Sequence, residues 1–435
     1  MLNKNSNNSF LDQLIKFRRD FHQYPETGWL EYRTSSIIAS FLEQLGYEVY
    51  VGKEVCLSSS RMGVPNDDIL KKNEERAIKQ GADPKWVELM KGGHTGVVGV
   101  YKSQKPGPTI ALRFDIDALD IQESSSKDHL PNNKGFRSIN DEKMHACGHD
   151  GHAAIGLGVA QQIIENAASI RGEIRLIFQP AEEGCRGAKA VVDKGWLDHV
   201  NYFYSGHIAF QSFTLGEVVA GVGGFFATSK IDVTYIGKAA HAGYKPEKGK
   251  NALLAASAAS LHLYSIPRNS KGKTRINVGR LVAGTGRNII PNKAEMSIET
   301  RGQTTELNDY MTEHAIRIIE SAAKTFDVNC KWEIVGRASE ENSNKELIDF
   351  IMKELKNIKG VHTIIPYKDM NASEDVVYMM KRVHEQGGKA SYLLFGTPLT
   401  AGHHQPEFDY DEKVLLIGVN VLTKLILSTC KLEKR

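Results

Sequence analysis

The run Ile174-Arg175-Leu176-Ile177-Phe178 passes directly into Gln179-Pro180-Ala181-Glu182-Glu183, and that passage decides how the chain is read. A short apolar run closed by a proline turn has the length and texture of a buried strand. The acids follow only where the strand has ended. The pattern recurs elsewhere. Thr109 to Phe114 leads into Asp115-Ile116-Asp117, Tyr202 to Tyr204 into Ser205-Gly206-His207, and Tyr392 to Phe395 into Gly396 and then His403-His404. Helical patterns lie between several of these strands, for example across residues 153–167. Such alternation predicts an α/β fold with a mostly parallel sheet. Sheets of that kind bind ligands beyond the carboxyl ends of their strands, so acids and histidines past four strand ends define one candidate site.

The densest chemistry is Met144-His145-Ala146-Cys147-Gly148-His149-Asp150-Gly151-His152, which holds three of the fifteen histidines and one of the five cysteines. A thiolate and an imidazole two positions apart make a chelating bite, and Gly148 lets the backbone turn tightly between them. An apolar helical run, Ala153 to Ile164, follows at once. A capping turn with incidental histidines is the competing reading of this stretch taken alone.

At 435 residues the chain exceeds one simple core, and two domains are expected. Lys230 to Ile236, Lys250 to Tyr264, Arg275 to Val282, Ala294 to Thr300, Glu306 to Thr325 and Val328 to Val335 read as strand, helix, strand, strand, helix, strand. That is the order of a ferredoxin-like α+β unit. It predicts an inserted domain at 222–335 within a catalytic domain made of 1–221 plus 336–435. Helices are expected at 10–22, 31–45 and 412–427. Residues 54–94 read as an insertion of charged helices, solvated surface by their charge pattern, or alternatively a lid or partner surface presenting Trp86 and Met90.

A net charge of +3 gives no argument for nucleic acid or an anionic membrane. Five scattered cysteines argue against a disulfide framework and for a reducing compartment. The polar start, Met1 to Phe10, lacks the apolar core of a signal peptide, and no stretch approaches membrane-spanning length. A cytoplasmic protein is expected.

Cys147, His149, Glu183, His207 and one of His403 or His404 are the candidate metal ligands. A catalytic zinc usually takes three protein ligands and leaves a position for water, so five are too many for one open site. With one ligand bridging, two cations about 3.5–4 Å apart each have about three. Thiolate, imidazole and carboxylate together suit Zn²⁺, and imidazole with carboxylate also suits Mn²⁺. Glu182, beside Glu183, is placed to act as general base toward a water, although paired acids at a strand end are also common in solvated turns. Asp115 and Asp117 would orient ligand histidines or cap the turn.

These residues together resemble a known family. His145 to His152, Leu176 to Gly184 and His404-Gln405-Pro406-Glu407-Phe408 are similar to the amidohydrolase branch of the dinuclear aminoacylase/carboxypeptidase family, as are Arg18-Arg19-Asp20-Phe21-His22 and Pro25-Glu26. Within that branch, Ser60-Arg61-Met62-Gly63, the insertion, and Gly402-His403-His404 with Phe408 to Glu412 resemble the group that splits p-aminobenzoyl-glutamate, a folate breakdown product. The resemblance implies metal ligands Cys147, His149, Glu183, His207 and His404, the last because the family's histidine lies four residues before the Phe, here Phe408; His403 is the fallback. It implies Glu182 as general base and two divalent metal ions, Mn²⁺ ahead of Zn²⁺.

The resemblance further implies an inserted lid and dimerisation domain, with His241 polarising the scissile carbonyl in a partner subunit's site. Asn288 and Arg301 match positions that contact a substrate carboxylate or the tetrahedral intermediate. The implied partners are a small N-acyl-glutamate substrate and either a second copy or a related B subunit. A broader aminoacylase or aromatic N-acyl-amino-acid hydrolase is the alternative, and a weakly active metal-binding subunit is the alternative of another class. Gly284-Thr285-Gly286-Arg287-Asn288 lacks the Lys-Ser/Thr and following helix of a phosphate loop and reads as a turn.

Overall fold

The computed structural model describes residues 4–432, with side chains from residue 9; positions 1–3 of the polar start lie outside the described residues. The chain opens with α1 (Lys4–Gln23) and α2 (Tyr32–Gln44), then β1 (Glu48–Val51). Helices α3 (Asp67–Lys79) and α4 (Pro84–Leu89) precede β2 (Val97–Lys102) and β3 (Thr109–Asp115). The short α5 (Leu130–Asn133) and the long α6 (His149–Glu165) lead to β4 (Glu173–Gln179), α7 (Ala188–Asp193) and β5 (Tyr202–Ile208). Strands β6 (Glu217–Val219) and β7 (Val222–Gly223) close this part.

The chain divides into two compact units, and residues 224–340 with 371–374 form the smaller. Its elements are β8 (Ala227–Ile236), α8 (Ala252–Leu263), β9 (Thr274–Ala283), β10 (Lys293–Gly302), α9 (Thr305–Thr325) and β11 (Asn329–Ala338). The sheet order is β11-β8-β10-β9, antiparallel throughout. Ile231, Val233 and Tyr235 of β8 alternate with polar neighbours and face Ala255, Ala259, Met311 and Ala315 of the two helices. The strand read as ending at Val335 continues to Ala338, because Ala338 still pairs with Thr228. Phe226 N donates to Ala372 O, which ties in the short 371–374 segment.

The chain returns through α10 (Lys345–Glu354), β12 (Thr363–Ile365), β13 (Lys368–Asp369), α11 (Val377–Glu385), β14 (Lys389–Phe395) and α12 (Lys413–Thr429). The large sheet runs β1-β2-β4-β3-β5-β14-β6-β12. Its centre, β4-β3-β5-β14, is parallel, while β1 and β2 add antiparallel strands at one side. Central parallel strands are covered on both faces, which is why β3 is buried from Ile110 to Asp115. Helix α6 is buried nearly all round and packs against α1, α12 and β3. Its glycines permit this closeness: a Cβ on Gly156 would lie 2.5 Å from the Phe178 ring.

The 54–94 insertion corrects the solvated-surface expectation. Leu70, Ala77, Trp86, Val87 and Met90 are buried in the main core, so Trp86 and Met90 are not presented to a partner either. Trp86 Nε1 donates to Ser40 Oγ at 2.9 Å, and Arg76 Nη2 pairs with Glu26 Oε1 at 2.7 Å. Charge covers only the outer face of these helices. Among the described residues no helix is long and apolar enough to cross a membrane.

Candidate metal centre

Gly148 has φ 94°, a left-handed value that favours glycine, and the next residue, His149, opens α6. The helix therefore begins four residues before the apolar run, and Cys147 and His149 flank its N-terminus. His207 is at the end of β5, Glu183 follows β4 and His404 follows β14. Donor atoms of Cys147, His149 and His207 lie within 4.8 Å of one another, as do those of Cys147, Glu183 and His404. Cys147 belongs to both groups. His149, Glu182 and Glu183 form a further such group.

Hydrogen bonds orient the rings. His149 Nδ1 donates to the Asp117 carbonyl at 2.9 Å, and His207 Nδ1 donates to the Ile208 carbonyl at 2.7 Å. A carbonyl only accepts, so each ring keeps its Nε2 lone pair for the interior. His207 Nε2 is 3.5 Å from Cys147 Sγ, and the buried His149 Nε2 has no hydrogen-bond partner. Glu183 Oε1 likewise has no hydrogen bond, with His404 Nε2 at 3.4 Å. Buried polar atoms are rarely left in this state.

The electrostatics point the same way. Burial works against a proton on His149, yet Asp115, Asp117 and Cys147 hold it well above its ordinary range. A field that favours a proton there favours any cation. Cys147 and the Glu183 carboxylate beside it lift His404 to about 10. Burial pushes His403 down to about 4, and its ring packs against Phe210 and Phe408. His404, not His403, faces the donors.

The Glu182–Glu183 loop is held from three sides. Ala181 and Cys185 adopt left-handed φ of 52° and 59°. The Asp117 carboxylate accepts from Glu182 N at 3.1 Å and Glu183 N at 2.9 Å, and Glu31 accepts from Ala181 N at 2.8 Å. Glu182 Oε2 comes 3.9 Å from His149 Nε2. Convergent thiolate, imidazole and carboxylate donors with unpartnered buried lone pairs suit divalent cations.

Residues 111–428 match the model for peptidase family M20/M25/M40. The chain belongs to this family. As a member of M20/M25/M40 it is a hydrolase, 44% identical to the A subunit of p-aminobenzoyl-glutamate hydrolase from Escherichia coli, with 97% of each chain covered. It is 43% identical to indole-3-acetyl-aspartic acid hydrolase of Enterobacter agglomerans, with 96% of each covered. The crystal structure of an aminobenzoyl-glutamate utilization protein from Klebsiella pneumoniae superposes with a TM-score of 0.84 at 39% identity, over 97% of each chain.

Three further expected residues of this M20/M25/M40 chain lie in the smaller unit. His241 is exposed in a turn and bridges to Ile289, and Asn288 is exposed with its carbonyl accepting from Ala242 N. Arg301, on β10, pairs with Glu299, which Lys230 also contacts at 3.0 Å.

Beside the donor cluster lies a buried network whose long-range pairing no local pattern announced. Arg18 is fully buried, reaching Asp150 at 2.9 Å and Asp409 at 2.6 Å. His22 bridges Asp150 and Glu123, and both carboxylates hold it at about 9 against burial. The available signal was the charged Arg18-Arg19-Asp20 run on an otherwise amphipathic helix.

Proposed function

We propose that the chain hydrolyses the amide bond of p-aminobenzoyl-glutamate, releasing p-aminobenzoate and glutamate. The observation that carries this is the convergence of Cys147, His149, Glu183, His207 and His404 beside Glu182, in a chain with a relative of that name. Cys147, His149 and His207 would hold one divalent cation and Cys147, Glu183 and His404 a second, Mn²⁺ ahead of Zn²⁺. When bound, such a pair lowers the pKa of water and polarises a carbonyl oxygen.

The chain's own groups do the rest. Glu182 takes a proton from the attacking water as oxygen bonds to the amide carbon. It returns that proton to the nitrogen as the C–N bond breaks. Asp117 keeps Glu182 and Glu183 in register through their backbone N–H groups. His241 is assigned to the carbonyl oxygen, and Asn288 and Arg301 to the substrate carboxylate. Arg301 already holds Glu299, so the substrate carboxylate competes with an internal one.

The smaller unit serves as lid and dimerisation domain in this reading, paired with a second copy or a related B subunit. Strand β9 is a sheet edge, and Leu254, Leu261 and Tyr264 are exposed beside it. Five free cysteines fit a reducing cytoplasm.

An indole-3-acetyl-aspartate substrate is the second reading, favoured by the 43% identical relative. The test is release of product by the purified chain with Mn²⁺ or Zn²⁺ from both conjugates, hippurate and acetyl-amino acids. Highest kcat/KM on p-aminobenzoyl-glutamate is expected; preference for any other substrate overturns the assignment.

A further inference from the structure

His152 sits among the donors without being available as one. Its ring stacks 5.4 Å from His149 and meets His207 edge-on at 4.6 Å. Ile208 N donates to His152 Nε2 at 2.9 Å. A ring nitrogen that accepts a hydrogen bond carries no proton, so the proton is on Nδ1. That proton is donated to Asp115 Oδ1. Both nitrogens are occupied.

What the ring holds is the backbone of a neighbour. The N–H it accepts belongs to the peptide joining His207 to Ile208, and the Ile208 carbonyl in turn accepts from His207 Nδ1. One contact fixes where His207 sits and the other fixes how its ring turns. Together they direct Nε2 toward Cys147.

Asp115 is itself anchored. Its Oδ2 accepts from Arg113 Nη1 at 2.6 Å, and Arg113 Nε donates to Gln179 Oε1 at 2.8 Å. Arg113 Nη2 reaches Asp375 Oδ1 at 3.3 Å, while Asp375 Oδ2 accepts from Gly187 N and Ala188 N at the start of α7. Arg113, Asp115, Gln179 and Asp375 are all buried, so water does not replace a lost partner. Such a chain holds its last member in one place.

We propose that His152 is a positioning residue for His207, locked in one tautomer by Asp115, and that it sets how tightly the cluster holds a divalent cation. The proposal rests on the reading of Cys147, His149 and His207 as cation donors. It is tested by titrating the full-length chain with Co²⁺ and following the thiolate-to-cobalt absorption, with circular dichroism of the cation-free protein alongside.

His152→Phe keeps a ring and removes both hydrogen bonds; His152→Gln keeps one donor and one acceptor. Loss of a partner that orients a ligand weakens metal binding by about 10- to 100-fold, and that loss is expected for His152→Phe with partial recovery in His152→Gln. Asp115→Asn covers the case of a misfolded Phe variant and is expected to weaken Co²⁺ over the same range. Affinity within about threefold of the parent in a folded His152→Phe or Asp115→Asn chain overturns the proposal, as does equal loss in the Phe and Gln variants. A parent chain that takes up no Co²⁺ removes the metal reading itself, a different failure.

Discussion

His22 gives the protein a pH-dependent stability whose size follows from its surroundings. Its Nδ1 lies 2.8 Å from Asp150 Oδ2 and its Nε2 3.0 Å from Glu123 Oε1, all three side chains being buried. Burial and the charge of Arg18 oppose a proton there, and the two carboxylates override them, raising the group from 6.5 to about 9. At about 1.4 kcal/mol per pH unit, that displacement corresponds to about 3 kcal/mol. Because the folded value is the higher one, the contribution is complete below pH 6.5 and disappears as pH rises through 9.

His22→Gln removes the titrating group. The gap in stability between parent and variant is therefore expected to shrink by about 3 kcal/mol between roughly pH 6 and pH 10. For a chain of this size that is roughly 3 °C in melting temperature. Parallel calorimetric scans of the two proteins at matched rates across this range measure it. A gap that stays level, or widens with pH, refutes the assignment of a charged imidazole between those two acids.

Glu182→Gln is expected to lower kcat by about 10²- to 10⁴-fold while Mn²⁺ affinity, read by calorimetric titration, stays within a few-fold; near-parent turnover removes Glu182 from proton transfer. Chelation of the cations is expected to abolish hydrolysis and lower the melting temperature, by the equivalent of about 2.7 kcal/mol where free ion had stood at 100 times Kd; a melting temperature indifferent to chelator and to added Mn²⁺ contradicts the metal centre. Trp86→Ala is expected to cost about 3–5 kcal/mol in urea unfolding, since the indole is packed in the main core, whereas a surface helix would lose little. Gly156→Ala brings a methyl to within 2.5 Å of the Phe178 ring and is expected to cost about 1–3 kcal/mol by the same measurement.

The central strands were legible because burial on both faces leaves an uninterrupted apolar run, as at β3 and β4. The short outer strands were not: β1, β6 and β12 are only three or four residues long and carry little periodicity. The insertion misled for a physical reason. A helix with a charged outer face and a narrow stripe such as Leu70 and Ala77 reads as solvated unless the surface it meets is known. At the donor cluster, residue type and spacing named the candidates, but hydrogen bonds distinguished them. Nothing local separates His152 from His149, yet Ile208 N occupies the Nε2 of one and not the other. The tie of Arg18 to Asp150, across 132 positions, needed the fold itself.

The cluster's outermost contributors are Cys147 and His404, which places its assembly late in synthesis. At about 5–20 residues per second, a ribosome needs tens of seconds after delivering the cysteine to deliver the last imidazole. Until then a nascent chain lacks one donor of the Cys147, Glu183 and His404 group, while the Cys147, His149 and His207 group is already complete in sequence. On the proposed assignment the two cations differ in timing: the second waits for the segment after β14, so its loading belongs to the end of maturation.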